Sequence, residues 1–333
     1  MTLAKLYGKK GYFITVMLLV SLICNILALL APFTTIGSLF SSYSCTLPYS
    51  VYLMWEESLY LIAILIAGFS ILFPFFKLSC LFYIWLFAEN KERRTRLLGF
   101  VEPLGKWSML DIFATCIILL LCNKQMLIYG SPKMGVYFFL AAIFLSILAS
   151  LIIDHIQENL SGAIELKNKE ITTSFSFKIV SFIALLVSIA ILILAILYPY
   201  LKITSFLLIG YSYSIFTSVT ALSNVSIILS GFMLLTMIIF PILHTASLIL
   251  LYYFKVFKRR ESFPLLEKVI KVCSRFNMLD VFILAFIIFL SEGQALVKIE
   301  DRLGIVLIGA FIFLILIMPK AIWIVRRSVA DRN

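Results

Sequence analysis

Apolar residues fall along this chain in long blocks, and polar residues collect in the gaps between them. The blocks lie at roughly 12–30, 58–87, 107–123, 135–153, 179–199, 223–254, 276–290 and 303–324. Most approach or exceed the ~18–20 apolar residues a helix needs to cross bilayer hydrocarbon. The pattern predicts an all-α integral membrane protein with eight transmembrane helices, the second and sixth long enough to tilt or project. No small-residue cleavage site follows the run after Lys5, Lys9 and Lys10, so the first block is expected to be an uncleaved span.

The basic residues orient the spans. The N-terminal segment, the gaps 88–106, 154–178 and 255–275, and the tail from 320 hold 22 of the 28 Lys and Arg, and the opposite gaps hold 5. By the positive-inside rule both termini are cytoplasmic.

The blocks also repeat. Pro32 and Pro199 are 167 residues apart, as are Pro74 and Pro241. Asp111 and Asp280 are 169 apart, as are Gln125 and Gln294, and Gly135 and Gly304. Landmarks in one register indicate duplication, with a two-residue insertion in the second copy. The expected units are residues 1–160 and 165–333, each with four spans. An even number makes the copies parallel rather than inverted.

Composition narrows the class further. The chain is 62% hydrophobic and 14% charged, with mean hydropathy +1.09, far from soluble globular proteins. The formal charge of +11 sits in short gaps rather than on one face, which argues against nucleic acid as a partner. Cys24, Cys80, Cys116 and Cys122 lie in apolar blocks, Cys45 lies in an external gap, and Cys273 lies beside a cytoplasmic one. No CxxC pair occurs, so neither a zinc ribbon nor a thioredoxin-like redox pair is expected.

Against this background the polar residues inside the blocks stand out. WSMLDIF, from Trp107, and FNMLDVF, from Phe276, each open a short span with an acid. As helices these spans are only about 25 and 22 Å long, which draws Asp111 and Asp280 about one turn below the surface. Two readings stay open for the acids: a functional site, or a carboxylate that complements the helix N-terminus. Lys77 and His244 occupy equivalent positions three residues after Pro74 and Pro241, and Lys77 lies roughly 15 Å deep. An ionisable group there by default marks a pathway or proton relay. Lys77 could instead snorkel to form an ion pair with Asp111, and His244 could be a satisfied core residue. Each proline also frees a carbonyl one turn upstream, a potential polar ligand.

The gaps before the two motifs share i, i+3, i+4, i+7 apolar spacing, at Leu97, Phe100, Val101 and Leu104, and at Leu266, Val269, Ile270 and Cys273. Basic residues intersperse them: Arg93, Arg94 and Arg96 in one, Lys268, Lys271 and Arg275 in the other. The expectation is a basic amphipathic helix on the cytoplasmic face in each copy, or else an extension of the preceding helix.

The repeated Met-Leu-Asp opening, the basic gap before it and the proline-bearing span before that resemble the paraquat-inducible protein A family of bacterial inner-membrane proteins. The resemblance covers nearly the whole chain. It implies paired four-helix units with a tetraspanin-like arrangement, working alongside MCE-domain proteins whose stacked rings form a hydrophobic periplasmic tunnel. It also implies that Lys77, Asp111, His244 and Asp280 belong to a membrane cavity and its proton or ion coupling, with lipid as cargo. Two-unit members carry cytoplasmic zinc ribbons before each unit; here eleven residues precede the first span and the gap 154–178 has no cysteine, so metal binding is not carried over.

Other functions fare less well. The two histidines, His155 and His244, lie at different depths, which leaves no pair of axial haem ligands, and no cofactor is expected. GxSxG and HExxH are absent, so no enzymatic activity is expected. A passive channel or small-solute transporter remains as the alternative to lipid handling. The tyrosine- and serine-rich external gaps 31–57 and 200–222 suit contact with a periplasmic partner.

Overall fold

The computed structural model describes residues 11–38, 42–122, 128–160, 175–204, 210–256, 264–292 and 303–330. It divides into two compact units, Met1–Ile164 with Leu284–Gly293, and Glu165–Ile283 with Gln294–Asn333. Among the described residues, six helical stretches are long and apolar enough to cross a membrane: Gly11–Leu30, Ala63–Leu86, Glu92–Cys122, Met134–Gln157, Ile179–Leu197 and Ile227–Phe254. The expected spans 276–290 and 303–324 are helical, but the first is a 14-residue helix and the described apolar part of the second is only Leu303–Leu316. Gln125 and Gln294 lie outside the described residues.

The first unit begins with α1 (Gly11–Leu30), followed by strands β1 (Thr34–Ser38) and β2 (Ser42–Cys45) and helix α2 (Leu47–Glu56). Then come α3 (Tyr60–Ile66), a π-helical stretch (Ala67–Leu72) and α4 (Phe73–Leu86), which run on as one helical rod. Helix α5 (Lys91–Trp107), α6 (Leu110–Cys122), strand β3 (Ile128–Pro132) and α7 (Met134–Leu160) complete it. The second unit has α8 (Phe175–Leu197), the hairpin β4 (Pro199–Thr204) and β5 (Gly210–Ser214), and α9 (Ile215–Ser223). After these follow α10 (Ile227–Leu234), a second π-helical stretch (Leu235–Ile239), α11 (Phe240–Val256), α12 (Pro264–Phe276), α13 (Leu279–Glu292), whose residues from Leu284 group with the first unit, and α14 (Leu303–Ala330).

In the first unit α1 lies along α7, and α4 packs on α1, α5 and α7. Lipid is as apolar as a leucine side chain, so such packing relies on close approach and buried hydrogen bonds. Ser21 Oγ donates to Ala142 O at 2.8 Å across the α1–α7 contact. Trp85 Nε1 donates to Thr15 Oγ1 at 3.0 Å between α4 and α1. The core gathers Leu18, Leu81, Trp85, Val101 and Ile153, while α1 turns Phe13, Val16 and Ile23 outward. An apolar outer face fits hydrocarbon and not water.

The gaps expected to be external loops contain strands. β1 pairs antiparallel with both β2 and β3, so the segment after α1 is tied to the segment before α7. In the second unit β4 and β5 form a hairpin. Ser214 caps α9 reciprocally, accepting from Thr217 N while Thr217 Oγ1 accepts from Ser214 N.

Two of the duplicated landmarks meet in each unit. Gly135, at the start of α7, donates its N–H to Pro32 O at 3.0 Å. A Cβ on Gly135 would stand 2.8 Å from Pro32 O, and one on Gly304 would stand 2.4 Å from Pro199 O. The glycine is required because backbone, which cannot swing aside, fills the place of a side chain. Gly135→Ala and Gly304→Ala should each destabilise by about 1–3 kcal/mol through overpacking. Gly231→Ala, whose Cβ meets open space, should be neutral or stabilising. Thermal unfolding of the purified protein in detergent distinguishes them.

Candidate functional site

The repeated prolines shape the helices around them. Proline lacks an N–H, and in a regular helix its ring meets the carbonyl four residues back. In both units the backbone answers with a π turn. Phe73 N–H reaches Gly68 O, and Phe240 N–H reaches Leu235 O, five residues back in each case. The wider turn accommodates Pro74 over Ser70 and Pro241 over Met237. It also rotates the residues beyond it by about 100° relative to an uninterrupted helix.

The segments that lead into the two Met-Leu-Asp motifs pack near these turns. In the first unit α6 packs on the π-helical stretch, and the ring of Trp107 stacks on Phe69 at 5.4 Å. In the second, Phe276, the equivalent of Trp107, stacks on Phe240 at 5.0 Å.

Within the first unit this construction encloses two ionisable groups. Lys77 is 2% exposed, and its ammonium donates to Ser146 Oγ of α7 at 2.9 Å. Ser146 Oγ in turn donates to Ile143 O at 2.8 Å. Gly105 makes the room, since a Cβ there would lie 2.7 Å from Lys77 Nζ. Asp111 is 3% exposed and Ser70 1%. The Asp111 carboxyl lies beside the Ser70 hydroxyl, yet Asp111 Oδ2 and Ser70 Oγ have no partner at hydrogen-bonding geometry. Asp111 lies in the first turn of α6, where Ile112 N and Phe113 N both donate to Met109 O.

The second unit keeps the frame and changes the chemistry. His244 is buried at the Lys77 position, and next to it Thr245 Oγ1 donates to Pro241 O at 2.7 Å. Asp280 is exposed, and Asn277 Oδ1 rather than the acid accepts from Leu279 N. The two acids therefore occupy unlike surroundings, and only Asp111 is enclosed.

Both basic gaps are helical. α5 packs on α4 and α7, and α12 packs on α11. Arg93, Arg96 and Lys268 are exposed and Lys271 partly so, whereas Arg94 and Arg275 are buried. Phe100 of the predicted stripe is exposed and Leu98, outside it, is buried.

Ser70, Ser146 and Gly105 were not among the predicted residues. Ser70 had a signal, its place four residues before Pro74. Ser146 and Gly105 had none, because only the packing of three helices brings them to Lys77. Burial raises the pKa of the Cys273 thiol, which leaves it a poor nucleophile. Among the described residues no group of three His, Cys, Asp or Glu could hold a metal.

Apolar helices long enough to cross a bilayer, a duplicated frame and enclosed charge define a multi-pass membrane protein of tandem-repeat type. The chain belongs to the paraquat-inducible protein A family, which it matches over residues 14–157 and 180–324. It is similar to intermembrane transport protein PqiA of Escherichia coli (strain K12), at 25% identity over 143 residues, 41% of this chain and 34% of that protein. Intermembrane transport protein PqiA of Shigella flexneri matches equally. Lipophilic envelope-spanning tunnel protein A of Escherichia coli (strain K12) is 36% identical over 85 residues, 24% of this chain and 20% of that protein. The chain thus spans about a third or less of the curated relatives it matches. No solved structure matches it.

The unsatisfied carboxyl makes a prediction about stability. Asp111→Leu should raise thermal stability, since it removes a buried polar group that lacks a full set of partners. Ser146→Ala should lower it by about 1–3 kcal/mol, because Lys77 then loses an acceptor. Melting temperatures in detergent test both, and a large loss of stability in the Asp111 variant would count against the reading.

Proposed function

We propose that the chain is an inner-membrane component of a lipid transport system. It would move or load lipid between the inner membrane and a periplasmic tunnel formed by an MCE-domain protein, and so help maintain envelope integrity. The names of its relatives, one for intermembrane transport and one for an envelope-spanning tunnel, support the reading. In this proposal the chain carries eight spans as two tandem four-helix units, residues 1–160 and 165–333, with tetraspanin-like packing and both termini in the cytoplasm.

The observation that carries the mechanism is the enclosure of Asp111 beside Ser70. A buried carboxyl has two states with different needs. Protonated, it is a donor, and Ser70 Oγ is an acceptor beside it. Ionised, it loses that donor and becomes a charge in a low-dielectric site, which favours water or a cation over the close packing of α6 on the π turn. Proton uptake and release thereby bias how α6 sits against Pro74 and its neighbours. Lys77 adds a second ionisable group to the same unit, and Ser146 accepts its hydrogen bond. Asp111, Lys77, His244 and, at the exposed position, Asp280 are the residues through which ion or proton coupling would act; Pro74 and Pro241 hold the geometry. Because the carboxyl changes charge and the flanking helix responds, the chain can couple a gradient to lipid movement without covalent chemistry.

Lys77→Met and Asp111→Asn should each reduce lipid transfer at least tenfold in liposomes that hold the chain and its MCE-domain partner, while both variants still insert and fold. Transfer at the wild-type rate by folded variants would sink the mechanism. A steady conductance in planar bilayers would favour a channel instead.

A further inference from the structure

Arg94 has no role in the site described above, and its surroundings are unusual. It lies in the first turns of α5 on the inward stripe Arg94, Leu98, Val101, Gly105, which recurs at helical spacing and faces α4 and α7. Leu98 and Val101 belong to the apolar core of the unit. Arg94 is 9% exposed, yet its guanidinium makes a single long bond, from Nη2 to Glu89 O at 3.4 Å. Nε and Nη1 are buried with no hydrogen-bond partner among the described residues. Glu92 and the side chain of Glu89 are near in sequence, but Arg94 pairs with neither carboxylate.

A buried guanidinium in that condition is costly, since desolvation is not offset by an anion. It is retained with two donors unpartnered, and the guanidinium fork suits the paired oxygens of a phosphate or carboxylate. Depth selects between them. The 24-residue apolar rod Ala63–Leu86 ends four residues before α5 begins, so Arg94 lies just beyond the hydrocarbon edge, at the level of lipid phosphates. Arg93 and Arg96 are exposed on either side and add attraction toward anionic lipid. The amides at the start of α5 are already engaged, because Asn90 Oδ1 accepts from Glu92 N and Asn90 O from Arg94 N. The side chain, not the helix end, presents the donors.

We infer that Arg94 is the anchor of a phospholipid-binding site at the basic end of the first unit, where its guanidinium clamps the phosphate of a membrane lipid. The site requires only that the chain reside in a membrane; it does not depend on that lipid being cargo. Lipid transfer and lipid retention can therefore fail separately.

The test uses the full chain, purified in detergent and stripped of lipid. Native mass spectrometry and thermal unfolding follow the binding of phosphatidylglycerol, of a phosphate-free glycolipid with the same acyl chains, and of inorganic phosphate. Wild type should retain phosphatidylglycerol and unfold at a higher temperature with it. Arg94→Met should weaken that affinity about tenfold or more, the loss expected for a charge-assisted contact. Arg94→Lys should fall between, since it keeps the charge and loses the fork. Arg93→Met, an equal charge change at an exposed position, should leave it nearly unchanged. Equal losses from Arg93→Met and Arg94→Met would overturn the inference, as would equal protection by the glycolipid. Protection by inorganic phosphate alone would overturn the lipid as the source. A more stable Arg94→Met protein with unchanged lipid affinity would mean that water alone serves the guanidinium. If Arg94→Met fails to fold, wild-type affinity in Arg94→Lys overturns the clamp.

Discussion

Inside hydrocarbon a backbone amide or carbonyl must find its partner within the protein, and a proline in mid-helix breaks that requirement at a known place. Both units meet the problem with one solution, a π turn that ends at the residue before the proline. The consequences run outward from there. The widened turn offers Trp107 and Phe276 an aromatic surface to stack on, which fixes where each Met-Leu-Asp helix begins. It re-aims the rest of the helix, so that Lys77 and His244 point into their units and are buried. In the first unit it also places Ser70 beside Asp111. Without the proline the helix would run straight, and the polar residues would face a different set of neighbours.

A second constraint closes each unit. Just past the first helix of each unit stands a proline whose carbonyl lies under a glycine at the start of the last helix. In the first unit the antiparallel pairing of β1 with β3 draws the same two segments together. The contact is between backbones, so no substitution elsewhere compensates for a side chain at the glycine. Duplicated landmarks that survive for this reason are records of packing, and they carry no information about cargo.

The long spans and the repeat were legible because each has a signal that one sequence can hold: apolar length for the first, register for the second. The site was legible in part. Lys77, Asp111 and His244 stood out as ionisable residues in apolar blocks, and all three are buried. Asp280 had the same sequence signal and is exposed, since burial depends on what packs over the first turn of α13 and not on the motif. The strands were hidden because β1 and β3 are separated by most of a unit. The inward turn of Leu98 and Arg94 was hidden for another reason: a stripe of alternating basic and apolar residues reads as amphipathic whether lipid or protein covers its apolar face. Only the packing of α5 on α4 and α7 decides between them.

The two halves have diverged where chemistry matters and agree where backbone matters. A lysine and a histidine differ in basicity in water, and burial disfavours the charged form of either. Exchanging one for the other at an equivalent buried position alters the kind of response the unit can make. The acids follow suit: Asp111 is enclosed and lacks a full set of partners, while Asp280 has lost its enclosure and left the cap to Asn277. A duplicated protein with equal sites would respond twice to one stimulus. Here a buried lysine and a buried carboxyl share the first unit, and a buried histidine occupies the matching place in the second. A duplicated chain can carry such a difference between its copies, which a symmetric dimer of one unit cannot.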